Sequence, residues 1–135
     1  MENTDTVVSE AVYQATKVDV QHMVEELNAI IRAKNFAAWQ SHVGKDYLAE
    51  MKSAAFLERT SINFTAKNQP KLASLQDYFL RVVVPSRDHD RVDDIEFVTP
   101  KLIKALTIDR NKRRLLLYVL EDNGDGWKIT NPNKI

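Results

Sequence analysis

The chain has 135 residues, 44% of them hydrophobic and 28% charged, with 19 Lys plus Arg against 19 Asp plus Glu. That length suits one domain with a buried core, and the balanced charge argues against nucleic acid or an anionic membrane surface as a partner. The lack of cysteine excludes disulfides, thiolate zinc sites and a Cys nucleophile, and no apolar run approaches the ~20 residues of a membrane span.

Residues 1–15 read as a flexible N-terminal arm, and residues 16–135 as a single domain. The opening "MENTDTVVSE" has neither the basic nor the apolar region of a signal peptide. Taken literally, that makes the chain cytoplasmic. The alternative is an exported or lipid-anchored protein whose signal has been removed.

Thr16 to Asp19 has the spacing of a capping box, and from there Val20, Met23, Val24, Leu27, Ile30 and Ile31 recur at helical intervals. Lys34 and Asn35 close that helix. Asn35 caps a short second one, in which Phe36, Trp39, Gln40 and Val43 share a side and which Gly44 ends. Residues 45–64 are helical in part, with Leu48, Met51, Ala55 and Phe56 inward. No clear strand shows in residues 45–71. Ser74 and Asp77 form a second capping-box spacing, opening a helix with Leu75, Tyr78, Phe79, Val82 and Val83 inward that Pro85 terminates.

After Pro85 the period falls from 3.6 to 2. Residues 92–98, 102–108, 114–121 and 127–130 read as four strands joined by "TPK", "DRNK" and "DNGDG" turns. Helices first and an antiparallel meander afterwards give an α+β fold.

Side chains argue the register. A three-residue turn at Thr99 to Lys101 opposes Glu96 to Lys104 and Phe97 to Ile103, pairing charges on one face and apolar groups on the other. Extending the ladder, with Ile108 opposite Arg113 and Leu120 opposite Trp127, puts Ile95, Phe97, Ile103, Ala105, Thr107, Leu116, Tyr118, Leu120, Trp127 and Ile129 on a floor beneath the helices. The other face then carries Leu102, Lys104, Leu106, Leu115, Leu117 and Val119. It is too apolar for water alone and is expected to form a homodimer interface.

The stretches "VEELNAIIRAKNFAAWQSHV" and "LQDYFLRVVVP", followed by the four strands, resemble the NTF2-like, cystatin-like α+β cone. Residues 45–71 depart from that pattern, because the family usually places a strand between its helices. The resemblance implies a curved antiparallel sheet wrapped around a conical pocket roofed by helices. It also implies a bacterial domain of a kind often exported or lipid-anchored. Members include isomerases, dehydratases, cyclases, non-catalytic binders and dimerising adaptors, so the resemblance leaves function open.

Few polar handles point from the floor: Thr107, Tyr118 and the Trp127 indole, with Arg114 at one end. The first reading is therefore a non-catalytic domain that binds a small hydrophobic molecule in the cone through Trp39, Tyr47, Tyr78, Phe97, Tyr118 and Trp127. It needs no cofactor and no metal. The second is an isomerase, dehydratase or cyclase using His42, Asp46 or Asp77 with Tyr47 or Tyr78. His42 reads equally as a surface or capping residue, and Asp77 as the capping-box carboxylate. The third is a dimerising scaffold whose cone is filled by its own side chains. "SRDHDR" at 86–91 lacks the ligand set of a zinc or calcium site. It reads as a solvated turn in which Arg87 and Arg91 neutralise Asp88, Asp90 and Asp93.

Overall fold

The computed structural model describes residues 8–135. Ser9 caps α1 (Glu10–Arg32), its hydroxyl accepting the Val12 N–H at 3.1 Å. The helix thus starts ahead of the Thr16 to Asp19 spacing, and Thr16 is buried on its core face instead of capping it. Residues 10–15 belong to α1 and not to an arm, held by a hydrogen bond from the Tyr13 hydroxyl to the Asp94 carboxylate. Residues 1–7, the rest of the expected arm, lie outside the described residues. Val20, Val24, Leu27 and Ile31 form the buried stripe, and Met23 and Ile30 pack at its margin.

Lys34 takes φ 57° as α1 ends. Asn35 then caps α2 (Phe36–Gln40), its Oδ1 accepting the Ala38 N–H at 3.1 Å. Residues 45–64 fold as two helices, α3 (Lys45–Met51) and α4 (Ala54–Thr65), the second capped by Ser53. Met51, Phe56 and Leu57 face the core; Ala55, expected inward, is exposed because the break at Ser53 resets the helical phase. Ser74 and Asp77 cap α5 (Leu75–Tyr78) reciprocally: Ser74 Oγ accepts the Asp77 N–H at 3.2 Å, and Asp77 Oδ2 accepts the Ala73 N–H at 2.9 Å. A π-helical turn over Phe79–Val83 leads into α6 (Val84–Ser86), so the helical run passes Pro85 by one residue.

The helices pack on a curved four-stranded antiparallel sheet of order β1-β2-β3-β4, with β1 Asp94–Thr99, β2 Leu102–Ile108, β3 Arg114–Asp122 and β4 Trp127–Thr130. Glu96 opposes Lys104 and Phe97 opposes Ile103, as charge pairing demands, but Thr99 pairs with Leu102, so the turn is the two residues Pro100 and Lys101 and Val98 is bulged, in place of the expected three-residue turn. Beyond the second turn the expected ladder fails. Ile108 pairs with Arg114, and Ala105 with Tyr118 while Leu106 pairs with Leu116, so Leu117 is an extra, bulged residue. Leu120 pairs with Ile129 instead of Trp127. That slide of two residues leaves the faces unchanged, whereas the bulge swaps them.

The swap reaches only Arg114 to Leu116, and burial alters the rest of the expected surface. Leu106 and Val119, expected at a dimer interface, are buried inside the protomer, and Leu117 packs against the core. Leu116, expected on the floor, is exposed with Leu115. Leu102 and Lys104 are half-buried, and Lys104 lies 3.9 Å from Glu96. The outer edge of β4 is covered in part by the α2–α3 junction. Ile129 donates to the His42 carbonyl and accepts from the Gly44 N–H, each at 2.8 Å.

Candidate functional site

β4 stops at Thr130, opposite Val119. From Tyr118 back toward Arg114, β3 has β2 on one side and, among the described residues, no strand on the other. A cavity of about 90 Å³ opens there, between the unpartnered part of β3 and the helices. Its apolar walls are Trp39 from α2, Met51 from α3, Val83 from the π turn, and Leu117 and Ile129 from the sheet. Its polar groups are Tyr47, Tyr78, Tyr118, Thr130 and Arg87.

Local packing positions several of these residues. Trp39 is fixed by stacking on Phe36, with ring centroids 6.1 Å apart, and by a tilted contact with Phe79 at 5.1 Å, and Tyr78 meets Phe56 edge-on at 5.2 Å. A straight α-helix would align Tyr78 with Val82 and Ser86. The π-helical turn shifts the phase and brings Val83 and Arg87 to the cavity beside Tyr78. Arg87 lies over the Tyr118 ring, its guanidinium carbon 4.9 Å from the centroid. One of its nitrogens reaches Asp90 Oδ2 at 3.2 Å. Asp90 is itself clamped to α1: Asn28 donates to its carbonyl at 2.7 Å and accepts its N–H at 3.3 Å.

The tyrosines are held neutral. Burial, followed by the nearby Tyr78 and Glu50, pushes the Tyr47 hydroxyl up to about 12. Burial raises Tyr78 against the opposing influence of Arg87, and burial together with the Asp90 carboxylate raises Tyr118. Tyr118 is only 8% exposed, and its hydroxyl forms no hydrogen bond of normal geometry among the described residues, Asp90 included. Such an unmade bond costs about 1–3 kcal/mol. No lining residue is a carboxylate or an imidazole. The site can therefore donate hydrogen bonds and enclose apolar groups, but it offers no base.

Of the residues expected to bind, Trp39, Tyr47, Tyr78 and Tyr118 come together at this cavity. Phe97 and Trp127 do not line it; both are half-buried against the core. None of the acid–base candidates lines it either. His42 Nδ1 contacts the Ala38 carbonyl at 3.0 Å and its Nε2 lies 3.7 Å from Glu26, Asp46 is exposed, and Asp77 caps α5. The residue missed is Arg87, which the charged run had assigned to a solvated turn. Its ion pair with Asp90 does form, as do those of Arg91 with Asp93 and His89 with Asp88. The signal that could have placed it is its position just past the end of the helix that carries Tyr78.

The chain is 30% identical over 117 residues to a protein named "Uncharacterized lipoprotein" from Treponema pallidum (strain Nichols). The matched stretch takes up 87% of this chain and 62% of that relative, so the chain spans about three fifths of its length. No protein-family model matches the chain, and no solved structure matches it. Among the described residues, no helix is long and apolar enough to cross a membrane.

Proposed function

We propose that the chain is an NTF2-like cone that binds a small molecule without catalysing its conversion. The NTF2-like assignment is supported by the element order, helices and then an antiparallel meander curved beneath them. The observation that carries the binding reading is Tyr118: a residue of the cavity wall whose buried hydroxyl makes no hydrogen bond of normal geometry among the described residues. A cone merely filled by its own side chains would gain nothing from that donor, and a phenylalanine would serve better. Size sets the limit on the ligand. About 90 Å³ is well below the ~300–1,000 Å³ of drug-sized sites, so the molecule is small.

An isomerase, dehydratase or cyclase would need a proton-transfer group within reach of its substrate. His42, Asp46 and Asp77 are all off the cavity wall while Tyr47 and Tyr78 line it, which favours binding over that reading. The test is native mass spectrometry of the purified protein, followed by the same sample denatured. A retained nonprotein mass that Tyr118→Trp, which fills the cavity, abolishes supports binding. A bare protein whose cavity residues respond to no small organic molecule overturns it.

Two finer points belong to the same proposal. A homodimer would form on the exposed Leu115 and Leu116, where β3 has an unpaired edge, and the same native spectrum reads it as a doubled mass. Export with a lipid anchor is supported by the name of the Treponema relative. Recovery of the native protein from the soluble fraction of its cells, without an acyl chain, would reject it.

A further inference from the structure

The binding reading, on which this inference rests, can be taken as far as a ligand class, because the one charged residue on the cavity wall is a cation, Arg87. Tyr47, Tyr78, Tyr118 and Thr130 present hydroxyls, and Arg87 presents its guanidinium. Asp90 occupies a single nitrogen of that guanidinium at 3.2 Å, longer than the ~2.7–2.9 Å of a tight charge-assisted pair. The other N–H groups of Arg87 have no partner among the described residues. Asp90 is tethered through its backbone at both N–H and carbonyl to Asn28, so it can hold one edge of the guanidinium while the other edge meets a second anion. Below these groups the walls are apolar: Trp39, Met51, Val83 and Ile129.

We infer that the cavity takes a small organic acid, whose carboxylate pairs with the open edge of Arg87 and accepts a hydrogen bond from the Tyr118 hydroxyl while its short apolar tail packs against Trp39, Met51 and Ile129. The planar fork of an arginine matches a carboxylate in two parallel bonds, which a neutral amide or an alcohol cannot supply. The volume, about 90 Å³, is below the ~150 Å³ that admits benzene. The tail is therefore a few carbons long.

The experiment is an amide-resolved NMR titration of the full chain at low salt with butyrate, butyramide and butan-1-ol in parallel. Butyrate should shift the signals of Arg87, Tyr118 and Thr130 and bind at least about tenfold tighter than butyramide, the difference a charge-assisted bond makes. Arg87→Met should erase that preference, Arg87→Lys should restore part of it, and Tyr118→Phe should weaken butyrate several-fold. A dispersed spectrum checks that each variant folds; should Arg87→Met fail to fold, Arg87→Lys and Tyr118→Phe carry the test. Equal binding of butyrate and butyramide, or a preference that survives Arg87→Met, overturns the acid assignment while leaving a small-molecule site in place. If none of the three moves a cavity signal, the binding reading falls with it.

Discussion

Leu120 and Tyr118 lie two residues apart on β3, both turned toward the helices and both buried. Leu120 sits between Ile103 on β2 and Ile129 on β4, so its strand is paired on both sides and its side chain meets apolar neighbours in the sheet itself. Tyr118 has Ala105 on one side and no β4 residue on the other. One strand thus serves two regions with opposite properties, a closed apolar core and a cavity edged with donors. The change occurs where β4 ends and Leu117 bulges. Pairing on both sides favours dense packing; losing a neighbour strand leaves space that a polar group can line.

Substitution can break this comparison. Leu120→Ala should cost about 2–5 kcal/mol, since a closed core relaxes little around a lost side chain, read as a lower urea midpoint at constant slope. A loss below about 1 kcal/mol would mean that the core yields as readily as the cavity. Ser61→Ala tests a buried polar contact that is satisfied. Ser61 Oγ donates to the Leu57 carbonyl at 2.6 Å and accepts the Leu72 N–H at 2.7 Å, tying the loop before α5 onto α4. Removing it strands a buried N–H, with an expected loss of about 1–3 kcal/mol by the same measurement.

How far the sequence could be read follows the same division. The stripe on α1, the Asn35 and Ser74 caps and all four strands are local patterns of apolar period and side-chain capping, and the structure reproduces them within a few residues. Residues 45–64 were harder, because Ser53 divides two helices of different phase and neither is long enough to display its period. The register of β3 was not legible beyond its turn. Leu115, Leu116 and Leu117 are chemically identical, so no contrast marks the one that bulges, and the faces of Arg114 to Leu116 depended on it. For the cavity, aromatic residues on the helices were sound guides. The placement of Arg87 depends on the π-helical turn, a tertiary feature that leaves no periodic trace in "DYFLRVVVPSR".

A smaller effect, confined to acid, tests the junction between the loop before β1 and the end of β2. Asp93 accepts from Arg91 at 2.7 and 2.8 Å, from the Ile108 N–H at 2.7 Å and from Thr107 at 3.0 Å. The Arg91 guanidinium foremost, with those other bonds, holds its carboxyl well below the usual 3.8 despite some burial. A carboxyl depressed in the folded state adds stability that is fully present above its unfolded value and fades as pH falls toward the folded one. Wild type should therefore lose stability progressively below about pH 4. Asp93→Asn should be less stable at pH 7 and should lack most of that acid limb, as followed by thermal melts from pH 2 to 7. Parallel acid limbs in the two proteins would show that Asp93 is not bonded as described.

The smallest change is the most telling for the cavity. Tyr118→Phe removes one oxygen atom. If that hydroxyl were paired within the protein, its loss would destabilise the fold by about 0.5–1.5 kcal/mol. Because it forms no bond of normal geometry with any described residue, the variant should be as stable as wild type or up to about 3 kcal/mol more stable, having shed a buried group that cannot be solvated. Urea denaturation of both proteins without added ligand decides it. A clear loss of stability would show that Tyr118 does pair inside the protein, most directly with Asp90, and would remove the distinction between core and cavity. Unchanged or higher stability, together with weaker butyrate binding, would mean that the chain keeps a tyrosine where the fold alone is better served by phenylalanine, and that the hydroxyl acts on something the cavity receives.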